Sequence, residues 1–252
     1  MIFEPKKINH NRFWHYYYAL KSLRKISGRV LDIGCGRGEI TTAIQKQRPD
    51  LDIYAGDKNK DYLSCLEKNK FLIKVFQADI NKLPFKDNFF NAVLVLDVLE
   101  HLKKPEQALK EIKRVLIKDG IFYLVIPIEA SLATFDGWFK KSFGINLKKK
   151  PIGHIQQFNR NDIKKLLNKA GFKILSIYYS HHLIYQLYSL TYYLYLAVFN
   201  KSRYIKLNLD MPKTNNLLIN FVKLNNILSN FESMILKSFP GQTAHITSVL
   251  KK

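Results

Sequence analysis

The chain has 252 residues, enough to bury one full-sized core. Its 47% hydrophobic and 13% aromatic content excludes a disordered chain, and two cysteines, Cys35 and Cys65, do not make a disulfide framework or a cysteine-rich zinc site. The 41 basic and 20 acidic residues leave a net charge of +21, which suits an anionic partner or a lysine-rich compositional bias.

The excess charge is not confined to one tail: residues 181–252 hold 8 basic and 2 acidic residues, and the rest of the surplus lies upstream. Among specific partners, an anionic membrane surface leads. The first residues, Met1 to Lys7, show no apolar stretch of a secretory leader, so the expected compartment is the cytoplasm, with a peripheral place on the inner face of a membrane as a variant.

Taken in chain order, short apolar runs alternate with amphipathic segments, the pattern of a parallel sheet with helices on both faces. The first predicted strand covers 29–33 and runs into Gly34, Gly36 and Gly38. A strand turning sharply into a helix needs glycine where the backbone bends and a ligand comes close. The loop is not the nicotinamide pattern G-x-G-x-x-G, because its third glycine comes one residue early and Glu39 stands where that pattern wants glycine. A helix should follow from Glu39 to about Gln47. Further strands are predicted at Asp52–Asp57, Ile73–Asp79, Phe90–Asp97 and Gly120–Pro127, with a helix from Pro105 to about Leu116. Four strands thus end in or near an aspartate, and open α/β sheets bind ligands outside the carboxyl ends of their strands. Asp57 follows Gly34 by 23 residues, about the spacing at which a carboxylate meets ribose hydroxyls.

The stretch Asp32-Ile33-Gly34-Cys35-Gly36-Arg37-Gly38 resembles motif I of the class I S-adenosylmethionine-dependent methyltransferases. That resemblance implies a Rossmann-like α/β fold: a seven-stranded, mostly parallel sheet with helices on both faces and an antiparallel last strand. It implies S-adenosylmethionine as cofactor. Asp57 would take the ribose, and Asp79 with Ile80 would face the adenine. Gly34, Cys35, Gly36 and Gly38 would pass the methionine end, Asp32 would help hold its amino group, and Asp97 would lie beside the sulfonium. Lys58 is a departure, since the family usually places an apolar residue against the adenine there. The likeness covers about 10–180 and the last strand. Arg12-Phe13-Trp14-His15-Tyr16 resembles the aromatic cap helix of the branch that acts on small molecules and lipids. Leu99-Glu100-His101-Leu102, then Gly153-His154 leading to Phe158, resemble further motifs of that branch, and Thr243–Leu250 resembles its final strand.

The implied reaction is methyl transfer to a small-molecule or lipid-linked acceptor. A hydroxyl or carbon acceptor needs a base, and His101 and His154 are the candidates, each with a structural reading beside it. No metal is expected, because Glu100 and His101 have no evident third ligand. The whole chain reads as one methyltransferase domain, with a cap helix in 1–28 and a helical insertion over 181–240. Within the insertion, residues 183–199 carry no charge but five tyrosines (Tyr185, Tyr188, Tyr192, Tyr193, Tyr195), and Leu183, Leu187, Leu190 and Leu194 make one stripe. Three readings stay open: a lid over the acceptor, a helix lying in a monolayer, and a short span. Phe135, Trp138, Phe139 and Phe143, interleaved with Lys140 and Lys141 and followed by Lys148, Lys149 and Lys150, suit an anionic surface, a phosphorylated or acidic acceptor, or a solvated loop with a packed aromatic cluster. Nucleic acid is the weaker partner, because Asp97-Val98-Leu99-Glu100 lacks the (D/N)-P-P-(Y/F) motif used on base amines. A scaffold without turnover is the third reading. Acceptor identity and oligomeric state are not legible in the sequence.

Overall fold

Seven strands form one sheet in the order β3-β2-β1-β4-β5-β7-β6. The computed structural model describes residues 12–67, 72–131, 134–144, 153–198 and 216–251. Strands β1 (Gly28–Ile33), β2 (Leu51–Asp57), β3 (Ile73–Gln77), β4 (Phe90–Leu96) and β5 (Leu116–Pro127) run parallel to one another. The last strand, β7 (Thr243–Leu250), is antiparallel to both neighbours and sits between β5 and β6 (Phe172–Ser180). This is the predicted mixed sheet with its reversed final strand. β1 has β2 on one side and β4 on the other, so chain direction across the sheet switches there. Such a switch point opens a crevice at the strand ends.

Alternation along the central strands supplies two cores, one per face. Val93 and Val95 of β4, with Phe122 and Leu124 of β5, face one cluster. Ala92, Leu94, Tyr123 and Val125 face the other. The first cluster is covered by α4 (Pro105–Val115), whose Ala108, Leu109, Ile112 and Val115 fall on one helical stripe, and by α6 (Arg160–Ala170). Asn159 starts α6 with a reciprocal cap: its side chain accepts from the amides of Asn161 and Asp162, and Asp162 accepts from the Asn159 amide. Gly171 closes the helix in a left-handed conformation (φ 92°), its amide bonding back to the last turn. The second cluster is covered by α1 (Phe13–Ser22) and α2 (Glu39–Gln47), and α3 (Lys60–Glu67) packs beside β2 and β3. In α1, Trp14, Tyr16 and Tyr18 are buried, and Tyr18 stacks on Tyr178 of β6 with ring centroids 4.8 Å apart.

Three boundaries differ from those predicted. β5 begins four residues early, because Leu116 pairs with Phe90 before an irregularity restores the register at Ala92 and Ile121. β3 and β4 stop before their aspartates: Asp79 lies beyond β3, and Asp97 takes a left-handed backbone (φ 55°) that ends strand pairing. Residues 135–143, weighed as a loop, form a helix, α5 (Phe135–Phe143).

The insertion between β6 and β7 contains α7 (Leu183–Val198) and α8 (Asn216–Ile235), packed on each other. Glu232 of α8 accepts from the amides of Leu183 and Ile184 at the start of α7, placing a carboxylate where the helix dipole favours it. Among the described residues no helix is long and apolar enough to cross a membrane. The lysine run 148–150 and the side chains of Tyr192, Tyr193, Tyr195, Phe139 and Phe143 lie outside what is described.

Candidate functional site

A cavity of about 340 Å³ opens at the carboxyl ends of β1 to β4, at the switch point. Its wall includes Asp32, Gly34, Cys35, Gly36, Asp57, Lys58, Asp79, Ile80, Asp97 and His101, so nearly all of the residues singled out in the sequence meet there. Gly38 starts α2 behind the loop. His154 does not line the cavity wall.

The loop after β1 is shaped by its neighbours. Gly34 has φ 80°, and a Cβ there would fall 2.3 Å from Cγ2 of Val98, so only glycine lets β1 and the β4 exit come together. Gly36, at φ 56°, is the opposite case: a Cβ would meet nothing within 4 Å. Its backbone therefore faces open space that a ligand can approach. Asp57 holds this loop from the end of β2, accepting from the Gly36 amide at 2.8 Å and from the Asn59 amide at 2.8 Å. Each of its oxygens retains a second lone pair.

Asp32 is 1% exposed. Thr41 donates to its Oδ2 at 2.5 Å, and Oδ1 is buried with no hydrogen-bond partner. Burial pushes its carboxyl up to about 6, against the Thr41 bond and the Arg12 charge, which pull the other way. Asp79 accepts from the backbone and side-chain amides of Asn81, and these bonds hold it below the ordinary carboxylate range. Lys58 reaches Asp79 at 3.5 Å while staying largely in solvent. Asp97 meets Nε2 of the buried His15 at 3.0 Å. Burial opposes its ionisation, but His15 and Arg12 outweigh that and keep it well below the usual range. The Cys35 thiol is buried and shifted far upward by desolvation, which makes it an inert wall residue.

These features fit S-adenosylmethionine. An orphaned buried carboxylate oxygen suits an ammonium group, open space over Gly36 suits close approach, and the facing carboxylates suit a cation. Arg12 and His15 were not predicted as site residues. Both lie in the cap segment, where only the aromatic pattern stood out, and their approach to Asp32 and Asp97 spans many residues of sequence.

His101 and His154 sit together beside the cavity. Their rings are edge to face with centroids 5.0 Å apart. His101 Nδ1 bonds the Gly153 carbonyl at 3.2 Å, and its imidazolium is disfavoured mainly by burial. His154 is buried and its Nδ1 meets both carboxylate oxygens of Glu129, at 2.9 and 3.0 Å. The loop that carries it is stitched to the strand-4 exit: the amides of Ile155 and Gln156 both donate to the Glu100 carbonyl. Glu129 had no signal in the sequence, because its role depends on β5 and the 153–158 loop meeting in space.

With the site in view, comparison with known proteins gives one class. Residues 31–124 match the family described as "Methyltransferase domain". An uncharacterised methyltransferase of Schizosaccharomyces pombe is 37% identical over 114 residues, covering 41% of each chain. The ubiquinone/menaquinone biosynthesis C-methyltransferase UbiE of Neisseria meningitidis serogroup C is 31% identical over 132 residues, covering 50% of this chain and 54% of that one. The chain thus spans about half the length, or less, of these relatives. The [4+2]-cyclase SpnF shares the fold, with a TM-score of 0.61 at 16% identity over 94% of this chain and 80% of that one. Residues 31–124 thus match a methyltransferase domain of the S-adenosylmethionine-dependent kind, and the cofactor such a domain implies is S-adenosylmethionine.

Proposed function

We propose that this chain transfers a methyl group from S-adenosylmethionine to a small-molecule or lipid-linked acceptor. The observation that carries the reading is the convergence of Asp32, Asp57, Asp79 and Asp97 on one cavity around an open glycine backbone. When bound, the cofactor supplies a methyl group on a sulfonium, already activated for displacement. The protein's part is then mainly positioning. Asp57 accepts from the ribose hydroxyls, and Asp79 with Ile80 fixes the adenine edge. Asp32 holds the ammonium group, and the Gly34–Gly38 backbone lets the methionine end lie close. Lys58 caps Asp79 from solvent rather than packing on the base. Asp97, oriented by His15, places negative charge beside the sulfonium. His101 stands at the acceptor side of the cavity.

The outer face of the insertion supports an acceptor presented at a membrane surface. In α7 the pattern is inverted relative to a helix packing its leucines on a core. Leu183 and Leu187 are exposed, whereas Gln186 and Ser189 are buried. In α8, Leu224, Ile227, Leu228, Phe231, Met234 and Ile235 are all exposed. An apolar face on a chain of net charge +21 suits an interfacial helix against anionic lipid. The test is flotation with vesicles of phosphatidylglycerol and phosphatidylcholine. Wild type should rise with the anionic vesicles, and a Leu187→Lys/Ile227→Lys/Phe231→Lys variant should stay at the bottom. Equal flotation of both would remove the surface from the proposal. Methyl transfer from labelled cofactor into a lipid extract, and none into a tRNA pool, would favour the lipid acceptor over nucleic acid.

A further inference from the structure

Outside the cofactor contacts lies a cluster that methyl transfer by positioning does not require. Glu100, His101 and His154 bring their ligand atoms within 4.8 Å of one another. The two histidines share one arrangement. Each has its Nδ1 already bonded, His101 to the Gly153 carbonyl and His154 to the Glu129 carboxylate. That leaves Nε2 as the atom each ring offers. A backbone carbonyl or carboxylate on the far ring nitrogen is how metal-ligating imidazoles are usually oriented, because it fixes the tautomer and raises ligand basicity. The charge is also suitable. Glu100 and Glu129 are buried at 1% and 0% exposure, and a divalent cation would offset these two carboxylates beside the two imidazoles. His101 is exposed and lines the cavity wall, so an ion has a way in.

We infer that Glu100, His101 and His154 form a binding site for a divalent first-row transition ion. Two imidazole nitrogens and one carboxylate form a borderline donor set, which suits such ions better than magnesium or calcium. Ligand–ion distances of about 2.0–2.2 Å require the three side chains to draw in slightly as the ion enters. His101, one of the three, lines the cavity wall, so the ion would adjoin the cavity. If the methyltransferase reading holds, a coordination position left by the three side chains would be available to water or to an oxygen of the acceptor. The sequence showed Glu100 and His101 side by side. The missing third ligand, His154, lies 53 residues further on and arrives through the hydrogen bonds that pin its loop to Glu100.

The test is titration of the full chain, first stripped with chelator, with Co²⁺, read by visible absorption and calorimetry. Wild type should take up one Co²⁺ with a ligand-field band. Glu100→Gln and His154→Gln should each weaken uptake at least a hundredfold, and Glu129→Gln by about 10–100-fold, as expected for a group that orients a ligand. Each variant's far-UV circular dichroism is compared with wild type. His101→Gln, on an exposed ring, keeps the test open if a buried variant fails to fold. No stoichiometric uptake by wild type, or uptake undiminished in folded His154→Gln or His101→Gln, overturns the site. Binding of S-adenosylhomocysteine is measured on the same samples. Co²⁺ uptake without it would leave the metal site standing and overturn the methyltransferase reading, and the reverse result would do the opposite.

Discussion

The strand-end frame of the cavity and the contacts that surround it are built in different ways. On the cofactor side, each important group sits at or next to the end of a strand, within a few residues of a recognisable turn: Asp32 before Gly34, Asp57 at the end of β2, Asp97 just after β4. Around that frame, other groups come from segments far apart in the chain. His15 meets Asp97 across 82 residues, His154 meets Glu129 across 25, and Glu232 caps α7 from 49 residues away. The first kind of site is fixed by backbone geometry and survives changes elsewhere in the protein. The second depends on tertiary packing and can vary without disturbing the strand-end frame.

Substitutions at the cofactor end should break this contrast most sharply. Asp57→Ala removes charge-assisted hydrogen bonds worth about 1.5–3 kcal/mol each and frees the Gly36 amide. S-adenosylhomocysteine affinity should fall about 100-fold or more by calorimetry, with the circular dichroism spectrum unchanged. Gly36→Val should do the same by filling the open space, at a cost to the fold of about 1–2 kcal/mol for a side chain at positive φ. Wild-type affinity in either variant would mean that the glycine backbone is not the cofactor's bed.

A pH experiment sharpens the contrast. Asp32 titrates at about 6 in the fold, above its ordinary value of 3.8, so the folded state holds its proton more tightly than the unfolded state does. Its contribution therefore falls as pH rises from about 4 to 6, and above 6 the cofactor-free protein carries a constant penalty of about 3 kcal/mol. Asp32→Asn should raise the melting temperature of the cofactor-free protein at pH 7.5 and have little effect near pH 4. The same change should weaken S-adenosylhomocysteine binding at pH 7.5. A variant that is no more stable at pH 7.5 would show that Asp32 is not held as a strained carboxylate.

Smaller effects are expected at two peripheral contacts. Glu232→Gln removes the charge at the start of α7 and should cost about 0.3–1 kcal/mol, read as a modest fall in melting temperature with cofactor affinity unchanged. Smallest of all should be Lys58→Leu. Its contact with Asp79 is a largely exposed ion pair, worth about 0–1 kcal/mol, so affinity should shift by no more than about fivefold. A large loss would make Lys58 a direct ligand rather than a cap.

The same contrast explains what could be read in the sequence. The glycine loop, α2, the start of α4 and β7 are local patterns, and the structure has them where the pattern puts them. The early start of β5 depends on an irregular pairing with β4, and α5 on packing, so neither had a local sign. The leucine stripe of α7 was visible, but its direction was not. Burial of Gln186 and Ser189 follows from their partners: Gln186 accepts from the Phe135 amide and donates to the His181 carbonyl, and Ser189 donates to the Gln186 carbonyl. His15 and Glu129 became visible only when distant segments met.

The most direct measurement is calorimetric titration of the wild-type chain with S-adenosylhomocysteine, beside NADH. One site for the thioether and none for the dinucleotide is the predicted result. Binding of NADH, or no binding of S-adenosylhomocysteine to a demonstrably folded protein, would contradict the assignment of the cavity at the ends of β1 to β4.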